Sequence, residues 1–127
     1  DVLIWGTGKP LREFMFADDL AEACIYLLNL DEKTFSNIAA CDRNDGIAPI
    51  INVGTGEELS ISDLAKKISS ILDYRGNINF DKSKPDGTYR KLLDSKILNK
   101  LGWSHKINLD TGLNIAINDF KEKYSYK

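Results

Sequence analysis

Histidine occurs once in this chain of 127 residues, and cysteine twice, with no recurring spacing between them. That pattern supports neither a disulfide framework nor a metal cluster. His105 supports no Ser/His/Asp arrangement and is read as closing a turn beside Trp103. No apolar run approaches the roughly 20 residues of a membrane-spanning helix, and there is no internal repeat or low-complexity stretch. Net charge is −2 and no basic stripe lies outside residues 82–91, which argues against a nucleic-acid footprint. No secretory pattern opens the chain, so the cytoplasm is the expected location. Hydrophobic residues make up 43% and charged residues 28%, ordinary values that allow one domain with a real core.

Two further motifs are missing. Gly54-Thr55-Gly56 follows an apolar run and precedes a helix, but the third glycine of a dinucleotide fingerprint would stand where Leu59 is. Gly6-Thr7-Gly8 fails by the same test, so both are read as tight strand exits and no cofactor-binding residue is assigned. No tyrosine is followed four residues later by lysine, so a Tyr-x-x-x-Lys dyad is absent. Asp18-Asp19 suits helix capping better than paired acid–base work. No catalytic and no metal residue is assigned.

What is present reads as alternating strands and helices. Val2–Trp5 is a strand ended by breakers at 6–10, and 11–16 is a short strand or extended segment. Asp19-Leu20-Ala21-Glu22 is a capping box for a helix reaching Leu30, with Leu20, Ala23, Cys24, Leu27 and Leu28 on one face. Residues 33–48 read as a surface loop with a turn at Asn44-Asp45-Gly46, and Pro49–Val53 as a buried parallel strand. A second capping box at Ser60 opens a helix to about Asp73, and a strand follows at 77–80. A short helix from Ser95 to Leu101 stops at Gly102, with Trp103 packed back on its end. The last helix spans Leu109 to Tyr124 with Leu113, Ile117, Phe120 and Tyr124 on one stripe. The class is α/β. A single buried strand makes no doubly wound sheet, so the chain is expected to be the outer part of a larger α/β protein, with apolar surface incompletely covered.

The chain is organised around Asp81–Lys91. Pro85-Asp86-Gly87 reads as a turn, with Lys82, Lys84, Arg90 and Lys91 crowded about it. Cations beside a carboxylate on a tight turn suit a phosphate together with a sugar hydroxyl. Trp5 offers a wall for a sugar or base ring, and Arg12, in an otherwise apolar stretch, a phosphate contact.

Trp5-Gly-Thr-Gly-Lys-Pro-Leu-Arg12-Glu-Phe followed by Asp18-Asp19 resembles the nucleotide-sugar segment of the extended short-chain dehydrogenase/reductase family. The block from Lys84-Pro-Asp-Gly-Thr to Arg90-Lys91-Leu-Leu-Asp94, followed by Leu101-Gly102-Trp103, is similar to its GDP-sugar members. Ile51-Asn-Val-Gly-Thr-Gly56 is shared by the wider superfamily and discriminates nothing. The resemblance covers the whole chain except 33–48 and matches only that family's C-terminal part. It implies one nucleotide-sugar substrate-binding domain over 1–127, with a few short strands and about four helices. It further implies conversion of GDP-4-keto-6-deoxy-D-mannose by epimerisation at C3 and C5 and NADPH-dependent reduction of the 4-keto group. Trp5, Arg12, Asp86 and Lys91 match substrate-binding positions. NADP(H), the catalytic groups and a homodimer belong, on this resemblance, to a full-length parent with sequence before Asp1, and the chain alone is expected to be inactive. Tyr89 departs from the smaller residue or proline common there. Another nucleotide-sugar epimerase or dehydratase, and a non-catalytic sugar-nucleotide-binding module, remain as rival expectations.

Overall fold

The computed structural model describes residues 1–42 and 50–124. Two small sheets are flanked by helices. In the first, β1 (Val2–Trp5) pairs parallel with β4 (Ile78–Asp81), Val2 opposite Ile78 and Trp5 opposite Asp81. In the second, β2 (Leu11–Glu13) lies between β3 (Glu58–Ser60), antiparallel to it, and β5 (Arg90–Lys91), parallel to it. Parallel pairing needs crossover connections, and the helices supply them, which is the α/β character expected from the sequence.

Helix α1 spans Ala17–Leu28 and α3 spans Ile61–Ile71. Ser60 ends β3 and also caps α3, its Oγ accepting from the Asp63 amide at 3.0 Å. One residue thus turns strand directly into helix. The five-residue α4 (Lys96–Lys100) ends at Gly102, whose φ of 97° is the left-handed stop that glycine adopts without strain. The turn lays Trp103 back on the helix, its amide donating to Leu98 O at 3.3 Å. Ala23, Leu98 and Trp103 form the buried centre, with Met15, Tyr26, Leu27, Ile51 and Val53 packed around it. Helix α5 (Leu109–Tyr124) starts at Asn108, whose Oδ1 accepts from the Thr111 amide at 2.9 Å.

Four expectations are corrected. Residues 32–42 form a helix, α2 (Glu32–Asp42), not a loop, which raises the helix count among the described residues to five. Asp31 starts it by accepting from the Thr34 amide at 2.9 Å and the Thr34 hydroxyl at 2.6 Å. The turn read at Asn44-Asp45-Gly46, and Pro49 with it, lie outside the described residues. Residues 50–53 belong to neither sheet, and Ile50 is exposed while Ile51 and Val53 pack on the core. An apolar run supplies burial, yet a strand also needs a neighbour for its backbone, and no described strand lies beside this one.

Asp19 does not cap its helix, which begins at Ala17 after Phe16. It is instead 2% exposed, and its two oxygens accept from the backbone amides of Lys106 and Ile107 at 3.0 and 2.9 Å. The turn read at Pro85-Asp86-Gly87 lies earlier. Lys84 N donates to Asp81 O at 3.2 Å, and the Asp81 carboxylate accepts from the Ser83 amide and hydroxyl.

Much apolar surface is uncovered, as expected. The α1 face divides: Ala23 is buried and Leu27 packs on the core, while Leu20, Cys24 and Leu28 are exposed, Leu28 by 84%. Leu3, Trp5, Ile25 and Ile50 are exposed as well. The chain exposes 9275 Å², where a compact chain of this size exposes about 6,800 Å².

Candidate functional site

The loop after β4 lies across the exits of β1 and the start of β2. At Gly6 the chain leaves β1 with φ 86°, and a side chain there would run into Asp86 Oδ1. The bare backbone lets Asp86 reach Thr7, accepting from the Thr7 amide at 2.7 Å and from its hydroxyl at 2.6 Å. Both oxygens of Asp86 are thereby fastened to the β1 exit. The Thr7 hydroxyl, then the Thr7 amide, and last the Lys9 charge hold the Asp86 carboxyl below the usual carboxylate range. Because the shift is downward, the latch holds above that range and opens as pH falls through the folded pKa. Thr7→Val should raise the Asp86 midpoint toward the ordinary value in a carbon-detected carboxyl titration. An unmoved midpoint would contradict the latch.

Beside this latch stands Trp5, 71% exposed, with Lys84 Nζ 5.4 Å from its ring centroid. On the other side Arg12 emerges from the middle strand, partly buried, one Nη donating to Leu11 O at 2.6 Å. Its second Nη lies 3.1 Å from the point where a Cβ on Gly87 would stand, so the glycine lets the loop run against the guanidinium. Lys91 is the register partner of Arg12 on β5. Trp5, Asp86, Arg12 and Lys91, the four residues singled out from sequence, thus follow one another along a single strip.

The strip has an unbalanced charge. Like charges directly opposite across strands are destabilising, and among the described residues neither Arg12 nor Lys91 makes an ion pair. Arg90 differs, since its Nε donates to both oxygens of Glu58 at 2.9 and 2.8 Å. The sequence grouped Arg90 with the phosphate-gripping cations, and that grouping is corrected. Alternation explains the split, because Arg90 and Lys91 point to opposite faces of the sheet. The side chain missed from sequence is Thr7. Its only signal was its place between two glycines.

Neither glycine turn is available to a pyrophosphate. The Thr7 amide is taken by Asp86, and the Gly56 amide donates to Glu13 Oε1 at 2.7 Å. A carboxylate already occupies the place where a phosphate would need a bare amide. These two turns therefore do not fit the pyrophosphate of a dinucleotide. Two cavities elsewhere among the described residues are lined by none of the four strip residues. One of about 250 Å³ lies among Phe14, Glu58, Lys67, His105 and Asp110, and an apolar one of about 320 Å³ among Met15, Leu64, Ile68 and Leu113. Trp5, Asp86 and Lys91 are exposed and Arg12 half-buried, so the strip lies at the surface.

Comparison with known proteins bears on what that surface meets. The sequence profile of the NAD dependent epimerase/dehydratase family matches residues 1–40, which include Trp5 and Arg12. The chain is 43% identical over 113 residues to GDP-L-fucose synthase of Escherichia coli K12, covering 89% of this chain and 34% of that protein. The likeness is to the GDP-L-fucose synthases. Identity to GDP-L-fucose synthase 1 of Arabidopsis thaliana is 42%, over 89% of this chain and 31% of that protein. Among solved structures, the GDP-6-OMe-4-keto-L-xylo-heptose reductase of C. jejuni matches with TM-score 0.83 and 36% identity, over 95% of this chain and 34% of that one. The resemblance read from the motifs is borne out, and the fold is the α/β fold of extended short-chain dehydrogenase/reductase structures. The chain spans about a third of the length of the curated relatives it matches.

Proposed function

We propose that this chain binds a GDP-sugar as the substrate-binding part of an NADPH-dependent epimerase and reductase of the GDP-L-fucose synthase type. The observation that carries the proposal is the Arg12–Lys91 pair, two cations in register with no carboxylate between them. A diphosphate supplies the missing counter-charge, and the planar Arg fork suits its oxygens. Trp5 gives a flat apolar wall at one end of the strip. Asp86 holds the loop closed on Thr7 and keeps lone pairs for a sugar hydroxyl.

The proposed substrate is GDP-4-keto-6-deoxy-D-mannose, with epimerisation at C3 and C5 followed by reduction at C4. Catalytic groups and the cofactor site are assigned to the remaining length that the relatives possess, so the chain alone is proposed to bind and not to turn over. Homodimerisation of the full-length protein and a cytoplasmic location rest on the sequence alone. Colitose is a second candidate sugar, since the chain is 41% identical to the GDP-L-colitose synthase of Yersinia pseudotuberculosis.

Competition among GDP, UDP and dTDP tests the choice of base. GDP is expected to bind about tenfold or more tightly than either pyrimidine nucleotide, one such factor being about 1.4 kcal/mol. Equal affinities for all three would sink the GDP assignment.

A further inference from the structure

We propose that Glu13 is the positioning residue for the Arg12–Lys91 pair, an inference that rests on the GDP-sugar reading above. Strand β5 is only two residues long, and both of them are exposed. Its upstream end is tied where the Leu11 amide donates to Tyr89 O at 2.8 Å. Beyond Lys91 the ladder stops, and the next tie is a side chain: Leu93 N donates to Glu13 Oε2 at 3.1 Å. Lys91 is thus held from both sides, by backbone on one and by Glu13 on the other.

The carboxylate is itself fixed. Glu13 Oε1 accepts from the Gly56 amide at 2.7 Å and from the Thr55 hydroxyl at 3.4 Å. Glu13 therefore joins β2, the 54–56 turn and the segment leaving β5, which are distant in sequence. Consecutive residues of a strand point to opposite faces, so Glu13 does not neutralise its neighbour Arg12. It acts on the strip through the backbone, leaving both cations free for an anion.

Gly54 provides a second way to move that carboxylate. A Cβ at Gly54 would stand 2.6 Å from Glu13 Oε1, closer than atoms tolerate, while its backbone is not in the left-handed region. Gly54→Ala therefore displaces the carboxylate without removing its charge. Glu13→Gln keeps the size but offers one acceptor oxygen where two amides need one each.

The experiment titrates GDP into the full-length protein carrying this chain, as wild type, E13Q, G54A, K91A and the E13Q/K91A double variant. E13Q and G54A are each expected to weaken GDP about tenfold. In the K91A background E13Q should cost less than about twofold more, because residues acting through one another do not add. Full additivity, or a G54A variant that binds like wild type, overturns the positioning role even if both variants are less stable. Should E13Q fail to fold, G54A and a G54A/K91A double variant carry the same comparison. A wild type that binds no GDP overturns the functional reading itself, and the inference with it, and is told apart because no variant is needed to see it.

Discussion

Asp19→Ala is expected to destabilise the protein by about 3–5 kcal/mol, since hydrogen bonds to a charged acceptor are worth roughly 1.5–3 kcal/mol each. The side chain is almost wholly buried, and both its oxygens are spent on the amides of Lys106 and Ile107. Removing it leaves two amides without an acceptor, the costly arrangement for buried polar groups. Asn in its place keeps one acceptor and turns an amide donor toward the other, so Asp19→Asn should cost about half as much. The strap that Asp19 holds runs from Trp103 in the core to the start of α5. Its release would loosen both. Asp18 provides the control, being exposed one residue away. It lies in the first turn of α1 with no hydrogen bond or ion pair of its side chain among the described residues, so Asp18→Asn should cost less than about 1 kcal/mol. Urea unfolding of the three variants decides the matter. Equal, small losses at both positions would show that the buried clamp contributes nothing.

That clamp also marks the limit of what the sequence discloses. Local signals were read well where the structure uses them locally. The Ser60 box caps α3, Gly102 stops α4, and the apolar stripe of α5 begins and ends where its periodicity does. Asp19 carries a similar local pattern, Asp-Leu-Ala-Glu, yet the helix starts two residues earlier and the carboxylate answers amides 87 and 88 positions away. A capping residue and a long-range acceptor look alike in one dimension. The same holds for Asp86, which suggested a turn and instead closes a latch 79 residues back along the chain.

Apolar runs mislead for a related reason. Residues 50–53 have the composition of a buried strand, but composition does not say whether a neighbouring strand exists. Of the apolar face of α1, Ala23 and Leu27 meet the core, while Leu20, Cys24 and Leu28 stay exposed. Periodicity fixes which residues share a face. It does not fix what that face meets. The candidate site was more legible because its residues sit in compact motifs: cations at 12 and 91 stood out beside turn residues, and the fold sets them in register. Arg90 could not be separated from Lys91 without knowing that Glu58 lies across the sheet on its side.

The other large effect is expected at the strip itself. In the full-length protein, Arg12→Ala should weaken GDP-sugar binding about 10- to 100-fold, and Lys91→Ala by less, given about 1.4 kcal/mol per factor of ten. The order follows from burial. Arg12 is partly buried and offers a planar fork, whereas Lys91 is exposed, where water and salt screen its charge. Raising the ionic strength should therefore erase most of the Lys91 contribution and leave much of that of Arg12. Arg12→Lys keeps the charge and loses the fork, so it should recover only part of the affinity. NADPH binding should stay nearly unchanged in every case, because both glycine turns of this chain already spend their amides on carboxylates. Substrate KM and NADPH KM, measured at two salt concentrations for the three variants, separate these contributions. An unchanged substrate KM in both alanine variants would remove the diphosphate from this strip, while a matching loss of NADPH affinity would mean that the pair serves the cofactor instead.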